Sequence, residues 1–513
     1  MASTEAPAPA STTGTKFTTS IVILGGNLAG LGVLHTLARH TIPALQRLSS
    51  QQTSSPQQQE YQITLITPNT HFFFKPASPR ALIQPLLLPG GDDSKVFPSL
   101  TDATKQYGDL VKLVVPAYAY TIDRASRLVH VRRLVDTPSP SPESTTIPYD
   151  VLVIATGTKG RSALWTMHMP GPGSHEGLKG AGAEEATRRE WEGVRARLKN
   201  LQSGGAHKHH RNVLIAGGGP VGVETTGEVA SWLKAEGKTE GVTVTLVSGA
   251  DKLLKNKNAN EKLGSKAEAY MKKQFGALVQ VVHGVKVVDV QVTDSVAVSV
   301  SGGQGEGKGG EGGQTTETTT MTVHLSDGTT RTNVGLYIDA TGGRGNADAF
   351  LPQSWLDASS RVITKDAYFR ARGSSENDPE ASGVYVAGDI VSGSDNTLIE
   401  TNAQVPVVCS SIGSDLAAKI LSSSAPDQNP SSPSSTSTST STVANNKIKL
   451  PAPLRQKTFK NKMAGTLLVP IGPGGGVGQI LGWGVPSFLV KVAKAKGFLV
   501  DMAEPAVTGQ QWK

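Results

Sequence analysis

Gly217, Gly219 and Gly222 stand at the spacing G-x-G-x-x-G within "VLIAGGGPVGVETTGEVASWL", residues 213–233. An apolar run precedes them and a helical pattern follows, the context in which this spacing holds a dinucleotide. The first glycine makes a tight turn and the second lets the backbone approach a pyrophosphate. The third lets helix pack on strand, and the helix N-terminus faces the negative charge. Pro220 and Val221 complete that turn. About 190 residues earlier, "IVILGGNLAG" repeats the arrangement with Gly25, Gly26, Ala29 and Gly30, but Asn27 stands at the middle glycine. Asn adopts positive φ more readily than other non-glycine residues, and its amide could donate to a phosphate. A lone match to this spacing is weak; two copies in one chain predict two dinucleotide sites.

The elements that must position these glycines are short apolar runs alternating with helical stretches. Residues 21–24, 63–67, 151–155, 213–216, 242–247, 336–340 and 384–387 are apolar and bounded by Gly, Pro or polar residues. Buried parallel strands read this way, and their alternation with helices predicts a doubly wound α/β fold. Four polar runs cannot build a core: 49–59, 137–146, 301–320 and 422–442. The first three are expected to be expanded surface loops and the fourth a linker. The basic run "HKHHR", 207–211, abuts Ser and Gly and predicts a solvated loop rather than a metal site.

The chain's 513 residues allow two to four domains. Fifty Lys and Arg against 42 Asp and Glu give a formal charge of +8, spread along the chain. Aromatic residues make up only 5%, with no basic stripe interleaved by aromatics, so no specific nucleic acid is expected. One cysteine, Cys409, excludes an intramolecular disulfide, a CxxC pair and a cysteine-rich metal site. No run approaches the roughly 18 consecutive apolar residues of a membrane span. The N-terminal "MASTEAPAPASTTGTKFTTS" has neither an apolar signal core, an arginine, nor a Met-Gly start. A cytoplasmic protein is expected, with peripheral attachment to a lipid-droplet or mitochondrial surface as the alternative.

Three further motifs join the glycine turns. "YDVLVIATG", 149–157, and "LYIDATG", 336–342, each run an apolar strand into A-T-G, and "GVYVAGDI", 383–390, ends in Gly388-Asp389. A carboxylate there, beside a helix start, suits the ribityl hydroxyls of a flavin. Together these motifs resemble the two-dinucleotide-binding flavoproteins of the pyridine nucleotide oxidoreductase superfamily, over roughly residues 19–421. The resemblance implies two Rossmann-like domains, an FAD domain split around an inserted NAD(P)H domain, plus a small C-terminal α+β module. Expected boundaries are a tail 1–18, FAD-domain parts 19–160 and 336–421, an NAD(P)H domain 161–335, a linker 422–446 and a module 447–513.

Within that superfamily, "LITPNTHFFFKPASPRALI", 65–83, "VTLVSGADKLL", 244–254, and the tail 467–500 are similar to the apoptosis-inducing-factor homologues, in particular the ferroptosis-suppressor-like branch and its fungal relatives. The resemblance implies that Gly25, Gly26, Asn27, Ala29 and Gly30 line the FAD pyrophosphate, that Arg80 contacts FAD, that Ala119 offers a backbone contact to adenine, and that Gly388 and Asp389 hold the ribityl or phosphate. It places Gly217, Gly219, Pro220, Val221 and Gly222 on the nicotinamide cofactor. Glu224 falls where related enzymes carry a glutamate near the nicotinamide, and it is the candidate catalytic residue, expected to pair with Arg80 beside the flavin. Strands of this kind commonly end in an acid that holds ribose; here Thr67 and Ser248 stand instead. With no carboxylate at Ser248 and Lys252 nearby, NADPH is admitted beside NADH.

The disulfide reductases of the superfamily use a cysteine pair, which this chain lacks. The implied reaction is therefore hydride transfer from NADH or NADPH to FAD, then to a diffusible quinone-type acceptor. A helix beginning near Ala403–Gln404 is expected to aim its N–H groups at the flavin. Two other readings remain open: a tailoring oxidoreductase of small aromatic metabolites, and a redox-sensing or apoptosis-type signalling flavoprotein. In "SFLVKVAKAKGFLV", 487–500, Phe488, Val492, Ala495 and Leu499 fall on one helical face with lysines around it. Packing against the FAD domain is the expected role of this stripe, and contact with an anionic membrane the alternative. The oligomeric state is left open.

Overall fold

The computed structural model describes residues 18–52, 59–133, 144–167, 183–201, 212–299, 315–423 and 449–513. All seven apolar runs are strands. Five parallel strands form the first sheet, in the order Val384–Val386, Val151–Ile154, Thr18–Leu24, Glu60–Ile66, Val111–Val114. Its central strand is aliphatic on both faces, and Ile21, Val22 and Ile23 are fully buried because helices cover both sides. The second sheet has parallel strands in the order Val279–His283, Thr243–Ser248, Asn212–Ala216 and Thr330–Asp339. Antiparallel strands Thr315–Leu325 and Val287–Ser299 extend it. The fold is mixed α/β with parallel-sheet, Rossmann-like domains. The chain leaves the first sheet after Val151–Ile154, builds the second, and returns at Val384–Val386.

The polar runs are shorter than the composition predicts. The helix Ile42–Gln52 takes the start of the first, because Leu45 and Leu48 give it a buried face. The strands Ser144–Pro148 and Thr315–Leu325 take the ends of the second and third, each supported by a ladder partner. The helix Leu398–Ser423 reaches into the fourth. Residues 53–58, 137–143, 301–314 and 424–442 of these runs, and 207–211, lie outside the described residues.

By length and composition Leu398–Ser423 could cross a membrane, yet more than half of its most apolar window is buried in the protein. It packs on the helix Leu28–Thr36, where the Cys409 thiol donates to the Val33 carbonyl. Residues 449–513 add a three-stranded antiparallel sheet, Leu467–Pro470, Gly476–Ile480 and Trp483–Val485, followed by helical turns. The end of the chain returns to Leu28–Thr36. A Cβ at Gly32 would sit 2.7 Å from the Trp512 ring, so the missing side chain admits that indole.

Candidate functional site

The two glycine turns are built alike. Each strand of a central pair ends in a glycine with φ in the left-handed range, Gly25 at +109° and Gly217 at +122°. Each glycine's N–H donates to the end of the neighbouring strand, Gly25 to Ile66 at 2.9 Å and Gly217 to Val247 at 2.8 Å. On the other side stand the two A-T-G strands. A Cβ on Gly25 would collide with the Ala155 carbonyl, and one on Gly217 with the Ala340 carbonyl. Gly30 and Gly222 lie directly over Gly25 and Gly217, so a side chain at either would strike the carbonyl of the first glycine. The close packing of helix on turn therefore requires glycine at all four positions. Above Gly219 the space is open, with no atom within 4 Å of a Cβ there. The Pro220–Ala235 helix has no side-chain cap, which leaves first-turn N–H groups, including those of Val221 and Gly222, for a ligand.

Asn27 takes the middle position with φ −102°, in the extended region. No left-handed backbone is required of it, contrary to the expectation from its φ tolerance. Its Oδ1 accepts from Leu28 N at 2.8 Å and its Nδ2 donates to the Phe73 carbonyl at 3.1 Å. The side chain thus caps the helix and ties it to the Phe72–Phe74 segment with one of its two amide N–H groups. Ala29 and Gly30, on the first helical turn, keep N–H groups free for a ligand.

Around the first turn the polar groups suit a flavin. Gly388, at φ +84°, abuts Ala29 and donates its N–H to Gln404 Oε1 at 2.6 Å. The Gln404 Nε2 and the Thr156 hydroxyl are buried without a hydrogen-bond partner, the kind of orphan that a bound group satisfies. Burial raises the Asp389 carboxyl, and attraction to Lys75 and Arg361 opposes that shift. Burial lowers Lys75, and Asp389 opposes it in turn. Lys75 also donates to the Thr158 carbonyl at 3.3 Å, beside the A-T-G strand. The residues present fit the pyrophosphate and ribityl ends of FAD.

Two expectations are corrected. The helix after Asp389 begins at Leu398, five residues before Ala403. Ala403 and Gln404 lie inside it, and Gln404 contributes a side chain rather than a helix N-terminus. Ala119 lies on an edge strand in a ladder opposite Val131, and the N–H of Ala117 on the same strand donates to the Thr67 carbonyl at 2.9 Å. Arg80 does not pair with Glu224. Its guanidinium binds Glu228 through Nε and through Nη2 (2.8 Å to Oε1), and Nη2 also donates to the Ala495 carbonyl at 3.2 Å. Arg80 lies over the Phe498 ring at 4.8 Å.

Glu224, one helical turn earlier, receives Lys494 Nζ at 2.6 Å. Burial raises both Glu224 and Glu228, and their cations oppose it. Sequence reasoning missed Lys75, Glu228 and Lys494. Glu228 was detectable as the i+4 neighbour of Glu224; Lys494 stands 270 residues away.

At the end of Thr243–Ser248, the Ser248 hydroxyl is buried against Gly218 and donates to the Ala250 carbonyl at 3.1 Å. Lys252 and Lys286 are exposed close by, the Lys286 stem lying over Gly249.

The profile of the pyridine nucleotide-disulphide oxidoreductases matches residues 19–405. The chain belongs to this family. Similar proteins include the oxidoreductase phnG of Penicillium herquei, 26% identical over 500 residues, covering 96% of this chain and 97% of that protein. The oxidoreductase ptaL of Pestalotiopsis fici is 26% identical over 370 residues, 72% of this chain and 76% of its own. Among solved structures, NDH2 of Plasmodium falciparum is 16% identical with a TM-score of 0.48; the match covers 73% of this chain and 64% of NDH2. As a member of this family the chain is an oxidoreductase on a flavin- and nicotinamide-binding fold.

Proposed function

We propose that this oxidoreductase binds FAD at the first glycine turn, takes hydride from NAD(P)H held at the second, and reduces a quinone-type acceptor, as in the apoptosis-inducing-factor-like branch. The observation that carries this reading is the matched geometry of the two turns, each glycine anchored to the neighbouring strand and closed by an A-T-G strand. Gly25, Gly26, Ala29 and Gly30 would cradle the FAD pyrophosphate, with Asp389, Gln404 and Thr156 on its hydroxyls. Gly217, Gly219, Val221 and Gly222 would hold the nicotinamide coenzyme. FAD, when bound, supplies the two-electron chemistry.

The protein's part is orientation and charge. The family's redox disulfide is missing because the chain has one cysteine, and Cys409 is buried, with burial holding its thiol well above the usual range. Electrons must leave by direct transfer to an acceptor. Glu224 and Lys494 form a buried, mutually neutralised pair in which Lys494 Nζ carries the proton and donates to Glu224 Oε1.

The coenzyme proposed is NADPH as well as NADH, since Ser248 presents no carboxylate to repel a 2′-phosphate. Quinone-dependent oxidation of both coenzymes by the purified protein tests the reading. Ser248→Asp should lower catalytic efficiency with NADPH relative to NADH by roughly tenfold or more, because a carboxylate then faces the phosphate. Failure of quinone to reoxidise the reduced protein removes the acceptor assignment.

A further inference from the structure

The C-terminal stripe does not fold as one helical face. The segment is an α-turn, Ser487–Val490, followed by a π-turn, Lys491–Ala495. Val490, Ala495 and Phe498 are buried, whereas Phe488 (64%) and Val492 (73%) are exposed. Ala495 therefore faces the core, and Leu499 lies beyond the helical turns with φ +60°. The stripe divides into an inner half and an outer half.

The outer half has company. Leu481 and Trp483, at the tip of the hairpin Gly476–Ile480 and Trp483–Val485, are 52% and 81% exposed. Among the described residues, seven of eleven large exposed apolar side chains lie between Met463 and Val492, which is clustering rather than scatter. The elements that carry them pack on one another. The Ser487–Val490 turn lies against Gly476–Ile480, and Gly482 N donates to Gly465 O at 2.9 Å, next to the Met463 loop.

Charge selects the occupant. Residues 447–500 hold nine Lys and Arg and no Asp or Glu. Lys460, Lys462, Lys491 and Lys496 are exposed beside the apolar side chains. Lys494 is paired with Glu224, and a second copy of this face would meet it with the same positive charge of the exposed lysines. An anionic lipid leaflet matches both features, since aromatic side chains settle at the headgroup boundary and lysines over the phosphates.

We propose that residues 480–496 seat this protein on an anionic membrane surface, with Leu481, Trp483, Phe488 and Val492 entering the headgroup boundary. The proposal is independent of the reaction, because binding is measured without turnover. Full-length protein is floated with phosphatidylserine-containing vesicles and with phosphatidylcholine vesicles. The expected result is flotation with the anionic vesicles only, weakened by high salt. Trp483→Ser/Phe488→Ser should reduce partitioning by roughly tenfold or more, with an unchanged circular dichroism spectrum because both side chains are exposed. Lys491→Ala/Lys496→Ala should weaken it without touching the apolar contacts. Absence of flotation, equal flotation of wild type and the Trp483/Phe488 variant, or self-association in the ultracentrifuge without lipid binding would each overturn the proposal.

Discussion

Glu228→Ala should destabilise the protein by about 3–5 kcal/mol, the range for removing one partner of a buried ion pair. Glu228 is 0% and Arg80 1% exposed. Without Glu228, the guanidinium keeps the Ala495 carbonyl and the Phe498 ring but loses its counter-charge. Gln84, which donates to Glu228 Oε2 at 3.0 Å, loses that acceptor and keeps only the backbone carbonyl of residue 228 at 3.2 Å. Bringing the charges inside was itself costly, so removing both should be far milder than removing one. Arg80→Met/Glu228→Leu should recover most of the loss. Urea unfolding of the two single variants and the double variant gives the coupling. If the double variant is as unstable as Glu228→Ala, the pair is not the source of the effect. The pair joins the helices Ser78–Ile83 and Pro220–Ala235 to the C-terminal turns, so Glu228→Ala should also speed proteolysis of the C-terminal module.

Acid should find a second weak point at His35. The ring is fully buried, with Nδ1 2.6 Å from the Tyr107 hydroxyl and Nε2 2.8 Å from the Val507 carbonyl. A neutral ring satisfies both, donating from Nε2 and accepting at Nδ1. Burial pushes the pKa down to about 4 from 6.5; the bond to Val507 opposes the shift and Arg39 adds to it. The folded state therefore binds the proton less readily than the unfolded state. Stability from this group is complete above pH 6.5 and is lost as pH falls toward 4. Each unit is worth about 1.4 kcal/mol, so the loss approaches about 3 kcal/mol. Denaturant melts at pH 7, 5 and 4 should show wild type losing that much more than His35→Gln. Parallel losses would assign the acid sensitivity elsewhere. The bond ties the first glycine helix to the chain end, so release of residues 503–513 should accompany it.

The glycine turns were legible because their constraints are local. A positive φ at the first glycine, its carbonyl too close for a Cβ on the third, and an apolar strand just before are all written within ten residues. The A-T-G strands were legible for the same reason. The partner of Arg80 was not. Glu224 and Glu228 are one turn apart on the same helix, and Lys494, from the far end of the sequence, takes the first and leaves the second for Arg80.

The stripe at 487–500 was misread because its periodicity was drawn on a regular α-helix. The π-turn at Lys491–Ala495 changes the angle per residue, and Ala495 rotates inward. The start of Leu398–Ser423 did have a local signal. Thr397-x-x-Glu400 is a capping pattern, and Thr397 Oγ1 accepts from Glu400 N at 3.1 Å. Lys75 had no such signal, since its tie to Asp389 spans the first sheet's topology.

The central claim is that two like-built turns hold FAD and a nicotinamide coenzyme. An anaerobic titration of the purified protein with NADPH and NADH, following the flavin's visible absorption, tests it most directly, with Gly217→Ala alongside. The predicted result is a yellow wild type bleached rapidly by coenzyme, and a yellow Gly217→Ala protein that bleaches slowly or not at all, because its Cβ would collide with the Ala340 carbonyl and deform the second turn. A colourless protein that takes up no FAD would contradict the account. So would a Gly217→Ala variant reduced as fast as wild type.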